Sequence, residues 1–139
     1  MVDWRFVLDR LAEARNYWLA TISPDGRPHV APVWGAFVDS DLFLETSART
    51  RKARNMAERP NVAVHVEAGD ETVIVEGEAQ PFRPTPELGA ALSGEFRRKY
   101  AGYEPTAEAW DEGGLYRVVP SKVLAWRDMP TATRWRFRH

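Results

Sequence analysis

The strongest constraint on this chain is a set of short strand-forming segments joined by tight turns, with too few helices to cover them. In "NVAVHVEA", Val62, Val64 and Val66 alternate with Ala63, His65 and Glu67, the period of two that marks a half-buried strand. "TVIVEGEAQPF" follows across a turn at Gly69-Asp70. Upstream, "YWLATIS" and "RPHVAPVWGAFV" flank Pro24-Asp25-Gly26, so residues 17–38 read as a β-hairpin. The turn at Asp39-Ser40-Asp41 leads into "LFLET", and "LYRVV" and "KVLAWRD" read as a last strand pair interrupted at Pro120. Six short antiparallel strands leave edges that must be hidden, and closing the sheet into a small barrel hides them. The expectation is a mostly-β (α+β) chain, with one barrel domain over residues 1–139 and a few peripheral helices.

Three helices are predicted around that sheet. Asp3 can cap the first, where Trp4, Val7, Leu8 and Leu11 form one apolar stripe. The second covers residues 50–58, stops before Pro60, and turns Ala53, Met56 and Ala57 inward. The third starts at Thr85-Pro86 and buries Leu88, Ala91, Leu92, Phe96 and Tyr100. "PTAEAW" is expected to add one helical turn.

Composition removes several function classes. Nineteen basic and twenty acidic side chains give a net charge of −1, which disfavours a nucleic-acid partner. With no cysteine there is no disulfide, thiolate metal site or cysteine nucleophile. The N-terminus has no apolar signal core and no stretch approaches the roughly 18 apolar residues of a membrane span, so a cytoplasmic, membrane-free protein is expected. His29, His65 and His139 lack ligand spacing, and no metal site is expected. There is no dinucleotide fingerprint, Walker loop or nucleophile elbow.

Two features carry chemistry. From Arg49 to Arg59 the chain places Arg49, Arg51, Lys52, Arg54 and Arg59 against a single acid, Glu58. Most of these cations gather where the second helix should start, although a helix N-terminus already carries partial positive charge. A bound phosphate reverses that conflict, because free N–H groups, the dipole, Thr50 and the cations would converge on it. A solvated basic face is the plainer reading. The second feature is six tryptophans. Trp4 and Trp18 read as filling a barrel or an interface, whereas Trp34, Trp126 and Trp135 read as walls of a site or an interface.

In this order, "LATISPDGRPHVAPVWGAF", "LFLETSARTRKARNMAERPNVAVHVE" and "VIVEGEAQPF" resemble the pyridoxamine 5′-phosphate oxidase-like split-barrel superfamily over about residues 15–82. The tail "YRVVPSKVLAW…ATRWRF" resembles members that use a flavin or deazaflavin coenzyme. The resemblance implies a six-stranded antiparallel split β-barrel that forms a homodimer, with cofactor sites in the dimer interface. By matching positions, Arg51 and Lys52 would hold the cofactor phosphate, with Arg49, Thr50 and Asn55 close by. Val33 and Trp34 would line the ring, and Thr46 and Ser47 would approach it from the next strand. Trp126, Arg134 and Trp135 would complete the site, from the same chain or its partner. The extended C-terminal segment that resembles pyridoxal-phosphate recognition is missing, which argues against a vitamin B6 substrate. The implied activity is an F-420-dependent oxidoreductase, with FMN as the alternative cofactor, passing hydride to a small organic substrate. A carrier or sensor that binds the cofactor without turnover is the rival reading.

Overall fold

A computed structural model describes residues 1–139. After helix α1 (Trp4–Glu13) come strands β1 (Asn16–Ile22), β2 (Pro28–Val38) and β3 (Asp41–Glu45), then helix α2 (Arg51–Glu58). Strands β4 (Asn61–Val66) and β5 (Thr72–Pro81), helix α3 (Pro86–Lys99), strand β6 (Leu115–Trp126) and strand β7 (Thr133–Arg136) complete the chain. All pairings are antiparallel, in the order β3-β2-β1-β4-β5-β6-β7, and an added pairing between β3 and β6 closes the first six strands into a barrel.

The final strand pair expected from the sequence is a single strand. β6 runs through Pro120 and pairs with β5 along its length, while its first part also meets β3 and its second part meets β7. Strand β7, in the tail, is additional to the six. Proline is tolerated because β6 is bulged beside it, with Ser121 left unpaired between the partners of Glu76 and Gly77. A Cβ on Gly77 would lie 2.1 Å from the Val119 carbonyl oxygen, so this crossing requires glycine. "PTAEAW" forms separate hydrogen-bonded turns, such as Ala109 N–H to the Thr106 carbonyl at 3.1 Å, rather than a helical turn.

Alternation along the strands produces two cores. Tyr17, Leu19, Val33, Leu42, Leu44, Val64 and Val73 fill the barrel interior. Ala36 and Phe43, on the outer face of β2 and β3, pack with Leu92, Phe96, Tyr100, Trp110 and Leu115 as a second core beneath α3. On α3, Ala91 is exposed and Gly89 is buried instead, because Gly89 lies against the Ala107 backbone. Trp18 points out of the barrel and is half-buried.

Candidate cofactor site

Strand β2 is bordered on one side by β1 along Pro28–Trp34, but β3 joins its other side only from Trp34 onward. Pro32 therefore lies on a free edge, where a missing N–H does no harm. A cleft of about 280 Å³ opens at this step, lined by Asn16, Pro32, Val33, Trp34, Glu45, Thr46 and Lys52. The indole of Trp34 forms its flat wall. One side of that ring stacks on Tyr100, with centroids 4.2 Å apart and planes 12° from parallel, and Tyr103 packs against it at 5.7 Å.

The backbone behind Trp34 is tightly held. Gly35 N–H donates to the Tyr100 hydroxyl at 2.9 Å, and the Lys99 ammonium donates to the Gly35 carbonyl at 2.7 Å. Lys99 also reaches the Tyr17 hydroxyl at 3.0 Å and lies over the Tyr17 and Tyr100 rings. Glycine is needed at position 35, since a Cβ there would sit 2.7 Å from the Phe43 carbonyl oxygen. Burial pushes the Lys99 ammonium down to about 8 and holds the Tyr17 and Tyr100 phenols above their ordinary value.

The other wall is the start of α2. Thr50 caps it, its hydroxyl accepting from Ala53 N–H at 3.2 Å and lying 3.1 Å from the Thr46 hydroxyl. The N–H groups of Arg51 and Lys52 find no protein acceptor, as expected for the first helical turn. Two of the five cations are committed: Arg54 donates to the Arg49 carbonyl at 2.8 Å and Arg59 to the Pro24 carbonyl at 3.2 Å. None of the six ion pairs involves Arg49, Arg51 or Lys52. The turn before β2 lies close enough for Arg51 to act on Asp25. That carboxyl is held below the usual range first by the Ser23 hydroxyl, then by backbone N–H groups, with the Arg51 charge adding to them.

A family model described as pyridoxamine 5′-phosphate oxidase matches residues 5–129. The chain belongs to the pyridoxamine 5′-phosphate oxidase family. No curated protein sequence matches it. A conserved hypothetical protein from Mycobacterium tuberculosis is similar at 27% identity and a TM-score of 0.76, over 91% of this chain and 85% of that one. An F-420 reductase is similar at 24% identity and 0.62, covering 83% and 93% of the two chains. The haem storage protein from Vibrio cholerae is similar at 18% identity and 0.69, covering 90% and 95%. The last two likenesses show the fold.

Within this family fold, Val33, Trp34, Thr46 and Lys52 come together in the cleft. Ser47, Arg49, Thr50 and Arg51 lie between the lining residues Thr46 and Lys52 in the loop and first turn of α2 and are not themselves among the lining residues; there the Ser47 carbonyl accepts from Thr50 N–H at 3.2 Å. Asn55 is placed differently from the expectation. It is 2% exposed and its amide donates to the Thr21 hydroxyl at 3.0 Å, which pins α2 to β1, while Ala57 takes the exposed position. Trp126, Arg134 and Trp135 lie along β6 and β7, and none of them lines the cleft. Trp126 donates to the Gly69 carbonyl at 3.1 Å, and Trp135 meets Trp4 edge-on at 5.2 Å over the barrel core. Three lining residues, Asn16, Pro32 and Glu45, were not among the expected site residues. For Asn16 and Glu45 the signal was cross-strand register, because both are paired with Trp34.

Proposed function

We propose that the chain is an oxidoreductase that holds a phosphate-bearing flavin-type cofactor in this cleft, coenzyme F-420 first and FMN as the alternative. The observation that carries this reading is the meeting of a flat wall with an uncompensated cationic helix start. Trp34 supplies the apolar face, while Arg51 and Lys52 carry both free N–H groups and unpaired charges. These residues fit a phosphorylated, planar group. Lys52 and Arg51 would hold the phosphate, with Thr46 and the 47–50 loop along its border. A bound flavin or deazaflavin would supply hydride transfer, and the protein's part is to fix distance and angle and to exclude water.

Two points rank F-420 first. Arg49 remains free beyond the two cations that a terminal phosphate would engage, and an F-420 reductase is among the structural neighbours. Haem suits the cleft less well. Its iron takes His, Cys, Met or Tyr, and the cleft is lined by none of these.

A homodimer belongs to the same reading. Trp18, Ala20 and Ile22 share the outer face of the sheet with Pro32 and Val30, which pair with Trp18 and Ala20 across β1 and β2. Val30 is 57% exposed. A second copy on this apolar face would flank the cleft and could bring Arg134 or Trp135 toward it.

The test is parallel titration of F-420 and FMN at low and high salt, followed by reduction of a test acceptor. Tighter and more salt-sensitive F-420 binding supports the ranking, because exposed charge pairs are screened over about 8–10 Å. Equal or tighter FMN binding with the same salt response reverses it. Binding without turnover moves the protein to the carrier reading.

A further inference from the structure

The cleft contains one charge that phosphate binding leaves unused. Asn16, Trp34 and Glu45 are register partners on three successive strands, so their side chains stand in a row on one face at steps of about 4.8 Å. Glu45 accepts at Oε2 from the Tyr103 hydroxyl at 2.6 Å and the Trp110 indole N–H at 2.9 Å. Its Oε1 accepts from no protein donor, and none of the six ion pairs includes it. Burial, reinforced by Glu45 itself, holds the Tyr103 phenol above its ordinary value, so it remains a neutral donor. Both donors therefore position the carboxylate without cancelling its charge.

On the opposite side of Trp34, Asn16 is held by one carboxylate oxygen. Its backbone N–H and Nδ2 both bond Glu67 Oε1, at 2.8 and 3.0 Å. That orientation leaves Oδ1 as an acceptor without a partner. The indole is thus flanked by one oxygen acceptor on each side, one of them charged.

We infer that this row selects the substrate: Glu45 and Asn16, at the two edges of the Trp34 indole whose open face is left to the cofactor, recognise an organic cation, a substituted ammonium group. The inference rests on the cofactor reading for its claim that the cleft faces substrate. A half-buried carboxylate without a counter-ion is unfavourable, and an ammonium placed against it relieves that cost. The same charge rejects a carboxylate of equal shape. Glu45 is here a specificity-determining residue and moves no proton or hydride.

Benzylammonium, benzyl alcohol and benzoate have nearly the same shape and differ in charge, which makes them suitable probes. Each is titrated calorimetrically into the wild-type protein and Glu45→Gln, with and without F-420 or FMN. The wild-type protein is expected to prefer benzylammonium over the alcohol by about tenfold and to bind benzoate least. In Glu45→Gln, which keeps an acceptor for Tyr103 and Trp110, the preference should fall below about twofold. Equal binding of ammonium and alcohol by the wild-type protein overturns the inference, whatever the variant does. So does a preference that persists in Glu45→Gln. A cation from a second copy seated on Glu45 would also leave the probes undiscriminated, and so counts against it. If neither cofactor binds but the Glu45-dependent preference is present, the cofactor reading fails and the cation site stands.

Discussion

Helices α2 and α3 begin alike and are charged in opposite senses. Each is capped by a threonine whose hydroxyl accepts from the N–H three residues on, Ala53 at 3.2 Å and Leu88 at 3.3 Å. Helix α3 then follows the dipole, with Glu87 in its first turn and Arg97, Arg98 and Lys99 in its last. Helix α2 opposes it: Arg51 and Lys52 open the helix, no acid stands in the first turn and no base in the last. Charges in α3 are arranged for the stability of the helix. Those in α2 work against it unless an anion is present, so α2 is the helix to read for function and α3 is the buttress behind Trp34.

The largest effect that would sharpen this contrast is on cofactor affinity. Arg51→Ala and Lys52→Ala should each weaken F-420 or FMN binding by about ten- to a hundredfold, or roughly 1.5–3 kcal/mol. Glu87→Ala in α3 should leave it unchanged. Fluorescence titration at matched salt reads both, and wild-type affinity in the α2 variants would reduce the basic segment to a solvated face.

The caps should behave alike in stability and differently in binding. Thr50→Ala and Thr85→Ala should each lower unfolding free energy by about 1 kcal/mol. Only Thr50→Ala, which also removes the contact with Thr46, should weaken the cofactor. Denaturant melts paired with titrations check this, and equal loss of affinity in both variants would erase the distinction.

Lys99 gives α3 a pH signature. Its ammonium titrates at about 8 in the folded chain, below the usual 10.5, so between those values the unfolded state binds more protons and stability rises with pH. The groups around it are the Tyr17 and Tyr100 phenols, with Glu95, Arg98 and Arg15 nearby. Both phenols are held above 10, so above that pH they reverse the slope. Melts across pH 7–10 should show a rise in the wild-type protein that Lys99→Met flattens; a flat wild-type profile would refute the burial argument.

The smallest effect concerns the free helix. Arg51→Glu should stabilise the cofactor-free protein by a few tenths of a kcal/mol while abolishing phosphate binding, and Glu87→Lys should destabilise it by a similar amount. Destabilisation by Arg51→Glu would mean that Arg51 has a structural partner.

Much of this was legible along the chain. Period-two alternation placed β4, the turns at 24–26, 39–41 and 69–70 delimited β1, β2, β3 and β5, and Pro60, Thr85 and Pro86 set bounds of α2 and α3. The cation surplus at α2 was visible because helix charge preference is local in sequence. Other features were not local. Asn55 reads as polar and available, yet it is buried, because its partner Thr21 lies 34 residues away. Among the tryptophans, Trp34, between Val33 and Gly35, and Trp135, between Arg134 and Arg136, both read as walls of a site or an interface. Tertiary packing sets Trp34 on Tyr100 at the cleft and turns Trp135 toward Trp4.

By itself, the sequence determined that this is an antiparallel barrel of short strands carrying a helix whose first turn holds a surplus of cations. Those properties follow from nearest-neighbour chemistry: side-chain alternation, turn residues, caps and charge along one helical turn. Only the tertiary structure decided that Pro120 lies within one continuous strand, since the bulge at Ser121 that accommodates it exists only in the pairing of β6 with β5. It alone placed Asn16 and Glu45 on either side of Trp34, because cross-strand register depends on how three segments align and is written in none of them singly.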